Sequence, residues 1–258
     1  MIGLNGGLIG VRRVPSTSLA PGVWTQDEQS VAKRAGIWPS YSTDPTAGLL
    51  PVLWYDFADE TTVTTSGTNL TQISDKGSRG AALTSTPTNP QYVTGINGRK
   101  CVDWGNVSHS KALYNNSTTP ISIAEAYIVL DASFGATFPS YNGLFGSYTE
   151  GMNVTGSIGS SALYFAGSFD NAFVNNGPQS FSGVLPGINS PSLLRIKRAS
   201  DTAVLTNTGF QIGMDRQNLS RGWYGLIGEM IFFSSVLGSS DRTLLQSWLS
   251  FKWGLTLA

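Results

Sequence analysis

The 258-residue sequence has one cysteine, one histidine and few charged side chains. A single cysteine, Cys101, excludes a disulfide within the chain and a structural zinc site built from cysteines. We predict that Cys101 is buried in a strand as an inert thiol. Charged residues make up 12% of the chain, and 16 basic residues balance 16 acidic ones. The sequence therefore lacks a broad basic surface, and we predict no nucleic-acid partner.

Long apolar runs are also missing. No segment approaches the roughly 18 apolar residues that span a bilayer, so we predict no membrane insertion. The first 13 residues, MIGLNGGLIGVRR, place their charges after the apolar part. A secretory signal has the opposite order. We therefore expect the chain to be made in a cytoplasm and to stay folded there, or to leave it by a route other than signal-directed secretion.

Several catalytic patterns are absent as well. The glutamates are scattered, and none lies in the Glu-x-Asp-x-Glu strand on which β-sandwich glucanases usually carry their catalytic carboxyls. Glu229, Asp56 and Asp59 are interpreted as structural. His109 lies in the polar sequence NVSHSK, which favours a surface turn over a catalytic base. No phosphate loop or histidine metal pair occurs. These absences predict a protein that is not an enzyme and needs no cofactor.

What the sequence has in abundance is glycine, with 30 residues, together with serine, threonine and asparagine. Clusters of these turn residues separate many short apolar runs, and helical periodicity is confined to the two ends of the chain. This pattern predicts an all-β, two-sheet antiparallel sandwich. The predicted strands are Val52–Phe57, Leu70–Ile73, Tyr92–Val93, Lys100–Trp104, Ala126–Leu130, Gly143–Ser147, Ala162–Ala166, Leu193–Lys197, Phe210–Ile212 and Gly225–Phe233.

The stretch from Gly228 to Leu255 predicts a buried strand, a turn and a closing helix. Its apolar run, MIFF, suits a strand that is covered on both faces. Ser239 or Ser240 can cap the helix, and Gly254 can end it in a left-handed conformation. We expect this helix to dock on the sheet. Its predicted apolar face consists of Leu244, Leu245, Trp248 and Leu249.

Residues 1–51 precede the predicted sandwich domain, 52–258, and comprise an arm, a short helix and a linker. Thr25 and Glu28 have capping-box spacing, which predicts a helix that ends near Ala35. The arm is rich in glycine and yet apolar, so we expect it to lie on other proteins of an assembly or on further copies of this chain, for example in a trimer. The predicted partner contacts are Ile2, Leu4, Leu8, Ile9, Val11, Trp24 and Trp38.

The loop Met214–Tyr224, MDRQNLSRGWY, combines aromatic and polar side chains. Sugars bind to aromatic faces rimmed by polar groups, so the loop is a candidate carbohydrate site. The alternative is that its aromatic rings pack beneath the loop. Calcium is a further candidate ligand, at Asp170–Asn171 or Asp215–Asn218, although turn chemistry explains these residues equally well. The candidate carbohydrate-binding residues are Asp215, Arg216, Asn218, Arg221, Trp223 and Tyr224.

From Val52 onward the sequence resembles the laminin-G/concanavalin A-like module of viral and bacterial surface proteins. The resemblance implies a two-sheet antiparallel jelly roll that binds carbohydrate or protein, sometimes with calcium. The matching residues are Trp54–Asp56, Asp75-Lys76-Gly77, Asn97-Gly98-Arg99 and Trp253-Gly254-Leu255.

Residues 1–39 are similar to the N-terminal leader of structural proteins from tailed bacteriophages, especially marine ones. This resemblance implies that the leader anchors the protein to a virion, with the sandwich displayed outward. The matching residues are Gly22, Trp24, Glu28-Gln29, Ala32-Lys33-Arg34 and Trp38-Pro39.

Together these observations predict a non-enzymatic phage protein of the virion surface, either a tail fibre or adhesin module or a head decoration protein. Its predicted partners are capsid or tail proteins and a host surface glycan. The alternative is a polysaccharide-degrading glycoside hydrolase or lyase on the same concanavalin A-like fold. The missing acidic strand motif counts against that alternative, and sustained release of reducing sugar would favour it.

Overall fold

The computed structural model describes residues 45–105, 111–115, 117, 119–132, 142–147, 153–156, 163–165, 169, 171–179, 190–198, 205–207, 209–215 and 221–257. The chain divides into two compact units, Met1–Pro45 and Thr46–Ala258. Apart from Pro45, the described residues belong to the second unit. The predicted arm, the predicted helix near Thr25 and the turn at His109 lie outside the described residues, so these expectations stay predictions.

The described parts of the second unit consist almost entirely of β-strands, and the named strands pair antiparallel throughout. The strands are β1 (Leu53–Asp56), β2 (Val63–Ser66), β3 (Asn69–Ile73), β4 (Leu83–Pro87), β5 (Gln91–Thr94), β6 (Lys100–Asp103), β7 (Lys111–Asn115), β8 (Ile121–Ile123), β9 (Glu125–Asp131), β10 (Gly143–Ser147), β11 (Asn153–Gly156), β12 (Leu163–Phe165), β13 (Asn171–Val174), β14 (Gly177–Gln179), β15 (Ser192–Lys197), β16 (Leu205–Asn207), β17 (Phe210–Ile212) and β18 (Leu226–Phe233).

Two helices flank these strands. A four-residue helix, Thr46–Leu49, precedes β1, and a 15-residue helix, Ser239–Trp253, follows β18. The second of these is called the C-terminal helix below. Two short 3-10 turns occur at Glu60–Thr62 and Ile96–Gly98. No helix in the described part of the chain is long and apolar enough to cross a membrane.

Sixteen strands form one continuous sheet in the order β12-β11-β10-β17-β7-β4-β3-β5-β6-β18-β9-β15-β13-β14, with β1 beside β18 and β2 beside β3. Strands β8 and β16 form a separate pair. The long sheet folds over the main core as two layers, which confirms the predicted jelly-roll type of sandwich. We call β1, β5, β6, β18, β9, β15, β13 and β14 the helix-side layer. The second layer consists of β2, β3, β4, β7, β17, β10, β11 and β12.

Strand β18 separates the two hydrophobic clusters of the molecule. Met230 and Phe232 face the core between the layers, where the rings of Phe232 and Phe145 meet edge to face at a centroid distance of 5.0 Å. Ile231 and Phe233 face the opposite cluster, beneath the C-terminal helix. The apolar run in the sequence therefore predicts this strand correctly, because both of its faces are covered.

The C-terminal helix buries a different face from the one predicted. Leu245, Leu249 and Trp253 are buried at i, i+4 and i+8, whereas Leu244 is 53% exposed and Trp248 is only half-buried. The prediction placed the adjacent residues Leu244 and Leu245 on the same buried face. The buried stripe of this helix is too narrow to include both of them. The helix therefore docks on the sheet as expected, with its contact stripe turned towards Trp253.

The ends of this helix also differ in part from expectation. The N-cap is Gly238, and no side chain caps the first turn. The two serines that were predicted as caps lie inside the helix instead. At the other end Gly254 has φ 62° and ψ 39°, and its N–H donates to the Ser250 carbonyl oxygen. This left-handed end was predicted correctly from the glycine.

Candidate functional site

The structure describes four of the six residues of the predicted carbohydrate loop; Arg216 and Asn218 lie outside the described residues. Trp223 is fully buried, and its main-chain N–H donates to the Gly213 carbonyl oxygen at 2.7 Å. Tyr224 is also buried. Both rings pack in the main core, which is the alternative that the sequence left open. Neither ring is therefore placed to stack on a sugar.

The charged residues of this loop form an ion pair. Arg221 Nη1 lies 2.8 Å from Asp215 Oδ2, and the aspartate side chain is 1% exposed. The main chains also meet, since Asp215 N–H donates to the Arg221 carbonyl oxygen at 3.2 Å. A buried carboxylate is costly unless its charge is paired. The guanidinium meets that requirement and holds the two ends of the loop together.

Two amides tie the same loop to the sheet. Asn142 Nδ2 donates to the Gly222 carbonyl oxygen at 2.5 Å, and Gln211 Nε2 donates to the Met214 carbonyl oxygen at 2.8 Å. Burial raises the pKa of Tyr224, while a hydrogen bond with the Asn142 side chain acts in the opposite direction. The loop residues therefore converge on the adjacent strands β10 and β17.

A row of polar residues crosses the outer face of the second layer. Directly opposite residues in antiparallel strands have their side chains on one face. The strand register aligns six such positions, which we call the polar row. It consists of Thr64 on β2, Gln72 on β3, Thr84 on β4, Tyr114 on β7, Gln211 on β17 and Gly146 on β10.

The polar row lies opposite the main core. The residues next to it in sequence, Ile73, Leu83, Leu113 and Ile212, are all part of that core. Solvent exposure increases along the row: Gln211 and Gly146 are buried, Tyr114 and Gln72 are half-buried, and Thr84 and Thr64 are exposed. Five of the six positions carry an uncharged side chain with a hydroxyl or an amide, and the sixth, Gly146, has no side chain, so the row can both donate and accept hydrogen bonds.

A buried carboxylate, Glu229, lies on the helix-side layer. It receives hydrogen bonds from Trp54 Nε1 at 2.7 Å, Trp253 Nε1 at 2.6 Å and Lys252 Nζ at 2.7 Å. Burial raises the pKa of Glu229, and the Lys252 charge acts in the opposite direction. Because donors occupy both carboxylate oxygens, Glu229 anchors the C-terminal helix to β1 and β18 and is not open to a substrate.

Asp56 continues this network towards the surface. It is the register partner of Glu229 on β1, and its Oδ2 lies 2.8 Å from Lys252 Nζ and 3.2 Å from Lys76 Nζ. Lys76 also pairs with Asp59 at 3.0 Å. The lysines alternate with the carboxylates, so the geometry agrees with the structural interpretation of Asp56 and Asp59.

A second buried carboxylate, Glu125, holds the segment after β18. Arg195 Nε donates to Glu125 at 2.5 Å, the Tyr127 hydroxyl donates at 3.0 Å, and the Leu237 N–H donates at 2.6 Å. Burial, followed by the Glu125 charge, raises the pKa of Tyr127. This arrangement links β9, β15 and the segment that leads into the C-terminal helix.

A half-buried carboxylate pair occurs farther along the helix-side layer. Asp103 on β6 and Asp131 on β9 are both register partners of Leu226 on β18, so the three side chains share one face. Two strand spacings separate the carboxylates, about 9.5 Å between backbones. Cys101, which is buried nearby as predicted, has its pKa raised by burial and then by these two aspartates.

The described residues contain no group of three or more His, Cys, Asp or Glu side chains that could hold a metal ion. Asn171 lies on β13, and Asp170 and residues 216–218 are outside the described parts. Calcium binding therefore stays a prediction. The same is true of the contacts predicted for the arm, since Ile2 to Trp38 lie outside the described residues.

The polar row was not predicted from the sequence. Its members come from positions between Thr64 and Gln211, and three of its strands, β2, β4 and β7, were not predicted. The sequence signal for β7 and β4 was the alternation in ALYN and LTS. In each run a leucine that faces the core is followed by a residue that faces outward, Tyr114 or Thr84. Such short runs resemble turns, so only the register of the strands brings the row together.

No protein-family model and no curated protein matches the sequence. A similar solved structure is that of an arabinofuranosidase complexed with arabinofuranosyl-alpha-1,2-xylobiose, with 14% identity and a TM-score of 0.45. The match covers 77% of this chain and 58% of that one, so this chain spans less than two thirds of the matched structure.

This finding contradicts two predictions made above. The matched structure is that of a glycoside hydrolase, against the prediction that the chain is not an enzyme and against its assignment as a non-enzymatic phage protein of the virion surface. No comparison supports a phage or virion origin. The predicted partners, the oligomeric state and the location stay untested predictions.

Proposed function

We propose that this chain degrades a polysaccharide, which it binds along the polar row. The observation that carries the proposal is the strand register, because it places hydrogen-bonding side chains in line across five neighbouring strands, β2, β3, β4, β7 and β17. At about 4.8 Å per strand the part of the row that is not buried, from Thr64 to Tyr114, extends over about 14 Å, which is long enough for more than one sugar unit. A linear array of this kind suits a polymer, whereas small ligands are held in enclosed pockets.

The chemistry of the row matches that of sugar hydroxyls. Threonine hydroxyls and glutamine amides both donate and accept hydrogen bonds, as sugar hydroxyls do. Tyr114 lies in the middle of the row and is half-buried, so it combines a hydroxyl with an apolar ring on which the face of a sugar can lie. Binding by many modest hydrogen bonds also tolerates ordered water along the chain.

Asp215 supports the buried end of the row. Gln211 is hydrogen-bonded to the carbonyl of Met214, which directly precedes Asp215, and Asp215 is paired with Arg221 at 2.8 Å. Hydrolysis of a glycosidic bond needs two carboxyl groups that face the bond, one as acid and one as nucleophile or base. The Asp215 side chain is 1% exposed and its Oδ2 is paired, so, like Glu229, it holds the structure together and is not open to a substrate.

The proposal is tested by incubating the protein with a panel of plant, algal and bacterial polysaccharides and measuring new reducing ends. We expect sustained release of reducing ends from at least one polysaccharide, and a lower rate at limiting substrate in Gln72→Ala, which removes an amide from the row. Asp103→Asn and Asp131→Asn are the controls on the opposite layer and should keep the wild-type rate. A panel with no turnover would overturn the function. Loss in Asp103→Asn or Asp131→Asn but not in Gln72→Ala would overturn this site.

Binding is tested separately by titrating the same polysaccharides into the protein. Gln72→Ala removes an amide from the row, and Gln91→Ala removes an equally half-buried amide from β5 in the helix-side layer. We expect weaker binding in Gln72→Ala and wild-type binding in Gln91→Ala. The opposite result would place the glycan on the helix-side layer.

A further inference from the structure

Gln72 lies in the part of the polar row that solvent reaches. It is half-buried on β3, and its register partners, Thr64 on β2 and Thr84 on β4, are both exposed. No residue that the structure describes makes a hydrogen bond to the Gln72 side-chain amide. The amide therefore offers a donor and an acceptor to a ligand on the outer face of the sheet.

Gln91, on β5 in the helix-side layer, shows the opposite arrangement. It is half-buried as well, but its Oε1 accepts from Thr68 Oγ1 at 2.8 Å and its Nε2 donates to Asn69 Oδ1. A ligand at Gln91 would have to replace hydrogen bonds that the protein already makes. A ligand at Gln72 gains its hydrogen bonds without that cost.

Charged residues are divided unevenly between the two layers. Among the described strands of the second layer only Lys111 is charged. It lies three positions before Tyr114 on β7, so it points to the opposite face from the row, and its Nζ donates to the Trp104 carbonyl oxygen at 3.2 Å. The strands of the helix-side layer carry Asp56, Lys100, Asp103, Glu125, Asp131, Arg195, Lys197 and Glu229.

We propose that the polar row binds a neutral polysaccharide and that Gln72 is its specificity-determining residue. The inference rests on the proposed function. The Gln72 amide accepts a hydrogen bond from one sugar hydroxyl and donates one to a neighbouring hydroxyl, with the threonine hydroxyls on either side of it. A uronate or a sulfate ester would lose hydration against a row that supplies no cation, so acidic polymers bind less well.

The test compares polysaccharides in pairs that share one sugar: glucan with polyglucuronate, galactan with polygalacturonate, and mannan with polymannuronate. We expect the wild type to bind the neutral member of at least one pair about tenfold or more tightly than the acidic member. Gln72→Glu keeps the side-chain length but replaces the donor by an acceptor and adds a charge, so it should bind that neutral member about tenfold more weakly. Gln91→Glu is the matched control on the helix-side layer and should bind like the wild type.

Thr84→Lys provides a second variant at an exposed position that lies outside the core. It places a cation beside Gln72, so it should gain binding of the acidic members, and the gain should fall as salt is raised. A wild-type preference for acidic members, unchanged neutral binding in Gln72→Glu, or no gain in Thr84→Lys would overturn this inference and leave the proposed function standing. Failure of the wild type to bind or cleave any polysaccharide would overturn the proposed function itself.

Discussion

At the scale of single residues, two buried polar side chains differ in how completely they are paired. Glu229 meets three N–H donors, from Trp54, Lys252 and Trp253, and both of its oxygens are occupied. Gln211 has one group paired and one unpaired. A fully paired buried group fixes the structure around it, whereas an unpaired buried acceptor costs folding free energy. This contrast separates the residue that anchors the helix from a residue whose burial is only partly compensated.

Replacement of Glu229 tests its anchoring role. In Glu229→Gln one oxygen becomes an NH2 donor, which then faces the N–H groups of Trp54, Trp253 or Lys252. Lys252 keeps its pair with Asp56 at 2.8 Å, but the buried N–H groups that face the new donor lose their acceptor, and we expect a loss of about 3 kcal/mol in the free energy of unfolding. Chemical denaturation measures this change. Glu60→Gln, at an exposed position, should leave stability nearly unchanged; equal effects of the two substitutions would contradict the anchoring role.

The lowered pKa of Asp59 leads us to predict that the stability of the fold depends on pH. The Thr61 hydroxyl donates to Asp59 at 2.6 Å, and this bond, together with Lys76, lowers the pKa of Asp59 from 3.8 despite some desolvation. A lowered pKa in the folded state contributes stability above pH 3.8 that is lost as the pH falls through the folded pKa. Asp59→Asn should therefore be less stable than the wild type at neutral pH, with the difference closing in acid.

Thermal melts of both proteins as a function of pH measure this difference. Thr61→Val removes the largest contribution to the lowered pKa, so it should show a smaller pH dependence of the same sign. A gap between the wild type and Asp59→Asn that stays constant from neutral pH to below pH 3.8 would show that the charge of Asp59 is not coupled to folding.

At the scale of elements, the C-terminal helix is held by one narrow stripe and by β18 beneath it. Gly228 makes the close approach of the helix and the strand possible. A Cβ at this position would lie 2.5 Å from the Trp253 ring. The strand register also shifts between Ile227 and Glu229, so Gly228 is the extra residue of a bulge. The absence of a side chain therefore lets Trp253 reach Glu229.

Two leucines of this helix allow a matched comparison. Leu249 is buried and Leu244 is 53% exposed, although both lie in the same helix. Leu249→Ala should lower the free energy of unfolding by about 2–4 kcal/mol, through lost burial and a cavity, whereas Leu244→Ala should change it by less than about 0.5 kcal/mol. Denaturant unfolding of the two variants gives both values. Similar losses would mean that the helix is covered on its outer side as well.

At the scale of the whole molecule, two kinds of strand differ in how well the sequence predicts them. Strands with both faces buried are predicted better than strands with one polar face. MIFF in β18 and AYIVL in β9 are apolar throughout and were predicted to within about one residue. VTTS in β2 and KALYN in β7 carry polar residues on the outer face, and they were missed. The candidate site shares this difficulty, because the partner of Gln211 is Tyr114, nearly a hundred positions earlier in the chain. Pairing at such distances is set by the register of the sheet, which local patterns do not contain.

The two hydrophobic clusters share one strand, so we expect them to unfold together. Met230 and Phe232 belong to the main core, while Ile231 and Phe233 belong to the cluster under the helix. Loss of either cluster exposes one face of β18. Far-ultraviolet dichroism, which follows the strands, and tryptophan fluorescence, which includes Trp253, should therefore give coincident transitions. Transitions that do not coincide would show that the two clusters unfold independently.

The position of β18 in the chain also has a consequence during synthesis. This strand lies between β9 on one side and β1 and β6 on the other. All three of these partners emerge from the ribosome before it, and β9 ends at Asp131, long before β18 begins at Leu226. At about 5–20 residues per second, the nascent chain waits roughly 5–20 s with apolar strand edges unpaired. During that interval the partly made protein is a client for chaperones that bind extended apolar segments, and a release from the ribosome before residue 233 leaves a chain that cannot close its sheet.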